Sequence, residues 1–267
     1  MSLIDFHTHA FPDKLAERAL GTLAAKVRMT PETDGSIAGL LAHMNNSGVT
    51  RSVVCNIATN ARQMTKVNDF AIDTMHRYAD RLTPLGSIHP EAENPSDEIE
   101  RLHNAGIPGL KLHPDYMGFR IDDCIYDEIF DTSAEMGMFI MIHAGFDVYS
   151  PGKVWAPPDA VLNRLARSPK TTLICAHYGG NMMWSEVEDK LLGKNIYIDT
   201  SMGSAEGLSR EQAVRMFGKH DSGRILFGSD CPWANQKATF EYVDSLSISA
   251  DQKDKIFFKN AEKLLSL

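Results

Sequence analysis

Ile4-Asp5-Phe6-His7-Thr8-His9 is a short apolar run that ends in two histidines two residues apart. Alternate side chains of a β-strand share a face, so His7 and His9 are expected to point the same way. Two imidazoles on one face at a strand end can grip one metal ion. A lone His-x-His pair often arises by chance. Here four further strand-like runs end in His or Asp: Lys111-Leu112-His113, Met141-Ile142-His143, Cys175-Ala176-His177 and Gly228-Ser229-Asp230.

Eight runs read as strands: Leu3–His9, Arg51–Ile57, Leu82–His89, Gly109–His113, Met138–His143, Thr171–His177, Ile196–Ser201 and Ile225–Asp230. Helical patterns separate them, among them Thr65–Ala79, Pro95–Ala105, Tyr126–Met136, Pro158–Arg167, Trp184–Leu192 and Arg210–Lys219, and Ala250–Leu265 reads as a closing helix. Asn94-Pro95 is a helix start, with a capping side chain before a proline. Gly48, Gly106, Gly137 and Gly223 stand where helices give way to the next strand. Alternating strands and helices imply a parallel sheet, and eight such units in one domain over residues 1–267 suit a (β/α)8 TIM barrel. A doubly wound open sheet would gather ligands at one switch point. The His and Asp candidates instead end strands one, four, five, six and eight, which only a closed barrel brings around one centre. Two long connections, 10–48 and 146–158, leave the C-terminal ends of strands and are expected to cover the pocket.

With 27 basic and 35 acidic residues the net charge is −8, which argues against nucleic acid as a partner. No apolar run approaches the roughly 20 residues of a membrane span, and no signal segment precedes Ile4, so a cytoplasmic protein without membrane contact is expected. Cys55, Cys124, Cys175 and Cys231 form no Cys-x-x-Cys pair and read as reduced thiols, with packing the expected role of Cys231.

Of ten histidines, six lie at strand ends: His7, His9, His89, His113, His143 and His177. His43, His76, His103 and His220 fall in helices or loops and are expected to be solvated. Burying several imidazoles and Asp230 without a common partner is costly, and a shared metal ion removes that cost.

The whole pattern resembles the amidohydrolase superfamily, in particular amidohydrolase-2-type metal-dependent barrel hydrolases and their decarboxylase relatives, such as aminocarboxymuconate-semialdehyde decarboxylase. The resemblance runs from Asp5-Phe6-His7-Thr8-His9 through Gly109-Leu110-Lys111-Leu112-His113-Pro114, His143-Ala144-Gly145 and Ala176-His177-Tyr178-Gly179-Gly180. It continues over Phe227-Gly228-Ser229-Asp230-Cys231-Pro232-Trp233 to Asn260-Ala261-Glu262-Lys263-Leu264-Leu265. It implies that His7, His9, His143 and Asp230 ligate one divalent ion. Asp230 would also take a proton from the attacking water, and His177 would hold and activate that water. In two-metal members the sixth-strand histidine is a ligand of the second ion. Zn2+ leads among the candidate ions, with Mn2+ or Fe2+ as alternatives. Lys111 stands open between a carboxylated metal bridge, a cationic substrate binder and a lysine paired with an acid, and the last two are favoured together.

His113, Tyr116, Arg120, Trp155 and Trp233 lie at or just past strand ends and are candidates for substrate contact. His89, Asp199 and Ser201 are candidates for supporting the ligands. The expected activity is hydrolysis of an amide, lactone or ester bond in a small, carboxylate-bearing metabolite. The alternative is metal-dependent, non-oxidative decarboxylation of an aromatic or enoic acid at the same site. A binding protein without turnover would be expected to lack a ligand or the proton acceptor, and none is missing here. A His-rich phosphoesterase with three metals would need further ligands. By analogy with such barrels, a homodimer is expected.

Overall fold

The computed structural model describes residues 2–267. Its eight strands are β1 (Ile4–Thr8), β2 (Arg51–Cys55), β3 (Leu82–Leu85), β4 (Gly109–Leu112), β5 (Phe139–Ile142), β6 (Leu173–Cys175), β7 (Tyr197–Asp199) and β8 (Ile225–Leu226). All neighbouring pairs are parallel, in the orders β1-β2-β3 and β4-β5-β6-β7-β8. Two seams join these sheets. Gly86 N donates to Gly109 O (3.1 Å) and Lys111 N to Gly86 O (2.8 Å), while Phe6 N donates to Phe227 O (2.7 Å) and Asp230 N to His7 O (2.8 Å). The result is a TIM barrel.

Apolar side chains make two layers. Ile4, Phe6, Val53, Leu85, Phe139, Met141, Ile174 and Leu226 fill the barrel interior, where the rings of Phe6 and Phe139 meet at 5.6 Å. Outward residues such as Leu110, Leu112, Ile140, Ile142 and Ile198 pack against the helices. The β1–β2 register shifts between Asp5 and Thr8. Both Phe6 and His7 therefore turn inward, which strict alternation does not allow.

Helix α1 (Asp13–Val27) and helix α2 (Ile37–Ser47) lie between β1 and β2. Ser36 caps α2 by accepting from Gly39 N, and Gly48 closes it at φ 74°. Gly106 and Gly137 also take positive φ, but Gly223 does not; it sits in the short turn Ser222–Arg224. Asn94 precedes the helix at Pro95 without a side-chain cap bond. No helix among the described residues is long and apolar enough to cross a membrane.

Candidate metal centre and active site

His7, in β1, is buried, and its Nδ1 lies 2.9 Å from Oδ2 of Asp199, the last residue of β7. His9 Nδ1 lies 2.8 Å from Cys55 O. Each ring therefore gives its N–H to a fixed acceptor and turns a bare Nε2 inward. Those two nitrogens face the same oxygen, Asp230 Oδ1, at 3.3 Å and 2.9 Å. Asp230 Oδ1 is buried without a hydrogen-bond partner. Lys111 Nζ meets His7 Nε2 at 3.0 Å, but His9 Nε2 and Asp230 Oδ1 still face each other as acceptors and repel unless a cation lies between them. The spacing suits neighbouring ligands of one ion, roughly 3–3.5 Å apart for bonds of about 2.0–2.2 Å. The donor set fits a divalent metal ion.

Lys111, on β4, is fully buried and donates through Nζ to His7 Nε2 at 3.0 Å. His143, just past β5, brings Nδ1 to 3.0 Å from His177 Nε2. His177 Nδ1 lies 2.8 Å from Ser201 Oγ, whose hydroxyl donates to Asp199 Oδ1. Asp199 and Ser201 thus tie His7 to His177, as their strand-end positions suggested. His7, His177 and Asp230 also place one ligand atom each within 4.8 Å of one another.

Burial drives His7 and His177 well below the ordinary imidazole range and His143 down to about 4, so their rings are neutral near pH 7, as a metal ligand requires. Burial would raise Asp230, but His7, His9 and Lys111 outweigh it and hold the carboxyl below its usual range. His177 (φ 61°) and Asp230 (φ 72°) both occupy the left-handed region that L residues rarely adopt. Such strain concentrates where surrounding structure must aim a side chain.

A second polar group adjoins the first. His113 stacks between Tyr116 (3.8 Å) and His143 (4.4 Å), and its Nε2 lies 3.3 Å from Asp147 Oδ2. Asp115 and Asp147 were not singled out from the sequence. The available signal was spacing, two residues after His113 and four after His143.

Above the centre opens a cavity of about 670 Å3. Its floor holds His7, His9, Lys111, His113, His143, His177 and Asp230, with Tyr116 and Trp233 at its sides. Leu15, Ala19 and Leu23 of α1, with Phe11 and Phe70, form an apolar wall, and Asp147 and Val148 enter from the loop after β5. Arg120 and Trp155 do not line it: Arg120 is turned to Asp122 at 2.7 Å, and the Trp155 ring lies under Lys153. His89 is buried away from the centre, where its Nδ1 accepts from Glu91 N. His220 corrects the expectation of a solvated ring. It is buried, accepting from Gly193 N and donating to Ile196 O. His43 is half-buried against Gln236, while His76 and His103 are exposed.

The barrel and this ring of imidazoles and carboxylates at the C-terminal strand ends define a metal-dependent barrel enzyme. The family model described as amidohydrolase (Amidohydro_2) matches residues 4–267, and the chain belongs to that family. None of the curated proteins matches the chain. Solved structures share the fold at low identity. A TIM-barrel protein from Bordetella bronchiseptica is 19% identical with TM-score 0.78, covering 100% of this chain and 99% of that one. The 2,6-dihydroxybenzoate decarboxylase from Rhizobium is 15% identical (TM-score 0.73, 100% and 99% covered). The 5-carboxyvanillate decarboxylase from Sphingomonas paucimobilis is 16% identical (TM-score 0.70, 100% and 99% covered).

Proposed function

We propose that this enzyme is a metal-dependent hydrolase acting on an amide, lactone or ester bond of a small, carboxylate-bearing substrate. The observation that carries the reading is the convergence of His7 Nε2 and His9 Nε2 on Asp230 Oδ1. These residues, together with His143, would hold one divalent ion, with zinc first for a nitrogen-rich set and manganese or iron(II) as alternatives. When bound, the ion supplies Lewis acidity and brings a water's pKa toward about 7.

The chain's own groups do the rest. Asp230 takes the water's proton and delivers it to the leaving group. His177, oriented by Ser201, stands beside His143 to hold the attacking water. Lys111, buried beside His7, offers a positive charge to a substrate carboxylate. The apolar wall of α1 excludes bulk water.

That same wall, with Phe11, Phe70 and Trp233, also suits an aromatic acid, which supports decarboxylation as a second reading. The similar decarboxylase structures agree with it. Purified enzyme with its ion would be screened against small carboxylates, lactones and amides in 18O-labelled water. Label in the product marks hydrolysis. Carbon dioxide release without label overturns hydrolysis in favour of the second reading.

A further inference from the structure

Three of the four imidazoles around the centre have one ring nitrogen tied to a partner away from it. His7 Nδ1 faces Asp199, His9 Nδ1 faces the Cys55 carbonyl and His177 Nδ1 faces Ser201. His143 breaks the pattern. Its Nδ1 faces His177 on the side of the centre, and its Nε2 is buried with no hydrogen-bond partner. The carboxylates within 4.0 Å of that nitrogen are Asp147 Oδ2 at 3.6 Å and Asp115 Oδ2 at 4.0 Å. Both acids are held through their other oxygens, Asp115 Oδ1 by the Ser150 hydroxyl and Asp147 Oδ1 by Tyr149 N at 2.6 Å. Asp115 Oδ2 is left without a partner, and Asp147 Oδ2 is the nearer of the two to His143. His113 lies against Asp147 Oδ2 at 3.3 Å and stacks on the His143 ring at 4.4 Å.

We propose that Asp147 is the positioning residue of His143, taking its Nε2–H so that Nδ1 keeps a lone pair toward the ion. The inference rests on the proposed ion site of His7, His9, His143 and Asp230. A neutral imidazole carries one N–H. Placed on Nδ1, that proton blocks the inward lone pair and leaves a bare Nε2 facing two carboxylates, acceptor against acceptor. Placed on Nε2, it gives a buried carboxylate a donor and frees Nδ1, the arrangement the other rings already have. The remaining separation is within reach of rotation about the terminal Asp147 torsion, whose energy well is broad. His113 Nε2 meets the same Asp147 oxygen at 3.3 Å and helps hold it beside His143. The loop after β5, whose Val148 lines the cavity, is thereby coupled to the ion's affinity.

The test strips the full chain with chelator and titrates it with Zn2+ alone, in competition with a chromophoric chelator. Asp147→Asn, Asp147→Glu, His113→Gln and Asp230→Asn are compared with wild type. Asp147→Asn should bind the same number of ions roughly 10–100-fold more weakly, with an unchanged melting temperature without metal. Asp147→Glu should recover part of the affinity, and His113→Gln should weaken it in the same direction by less, which serves if Asp147→Asn fails to fold. Unchanged affinity in Asp147→Asn overturns the proposal. So does a fall from two ions to one, because His113, His143 and Asp147 would then ligate a separate ion. Asp230→Asn reports on the underlying site by itself: retention of full affinity there overturns the ion site, whatever Asp147→Asn does.

Discussion

His7 gives its proton to Asp199 and His9 gives its own to the Cys55 carbonyl, so both turn lone pairs on Asp230. His177→Ala leaves those three groups in place. It should retain the ion by elemental mass spectrometry and lose roughly 10²–10⁴-fold in turnover. Loss of the ion instead would make His177 a ligand. A second histidine prediction concerns stability. His220 Nδ1 accepts from Gly193 N and its Nε2–H donates to Ile196 O, both at 3.1 Å, so the fold needs the neutral ring. Burial holds its pKa below 6.5, the value expected when unfolded. Above pH 6.5 both states are neutral and the contribution is complete. As pH falls below 6.5 the unfolded chain takes up a proton that the folded ring refuses, and stability drops through the window down to the folded value. His220→Ala should cost about 1–3 kcal/mol at pH 8. It should also flatten part of the acid-side decline in melting temperature, read by calorimetry across pH; a parallel decline in wild type and variant would reject the assignment.

At the scale of elements, the loops after β5 and β6 are stitched together. Asn181 N donates to Ala144 O (2.8 Å), Phe146 N to Asn181 O (2.9 Å) and Gly145 N to Ala156 O (2.9 Å). Gly145 makes this possible, with φ +87° and space in which a Cβ would lie 2.2 Å from Asn181 N. Gly145→Ala is therefore expected to destabilise by roughly 2–4 kcal/mol, from positive-φ strain plus a backbone clash. Equilibrium denaturation measures it, and a loss below about 0.5 kcal/mol, the range of ordinary surface changes, would show that the loops relax freely. The number and position of the eight strands follow the apolar runs, but each run is longer than the paired element. β8 ends at Leu226, and Phe227–Asp230 is irregular backbone that carries Asp230 to the centre. Apolar patterning reports burial, whereas strand length is set by where neighbouring chains remain within hydrogen-bond reach.

For the whole molecule, the donors come from opposite sides of the barrel, so an ion binds the folded chain far better than the unfolded one. Free ion at 100 times its Kd should add about 2.7 kcal/mol. For a chain of this size that raises the melting temperature by roughly 5–10 °C over chelator-treated protein. Asp230→Asn should abolish the shift, and an equal shift in wild type and variant would place the ion elsewhere. Backbone period and strand-end chemistry are local properties, so the sequence by itself determined the barrel and which strand ends carry His7, His9, His143, His177 and Asp230, with Asp199 and Ser201 near them. Tertiary structure alone decided that Asp147 and His113 pack beside His143, that His220 is buried, which side chains of the 10–48 connection line the cavity and that Arg120 and Trp155 lie outside it. Those outcomes depend on side chains brought together by closure of the barrel and by loop packing, and no periodicity along the chain encodes which loop residue meets which strand end.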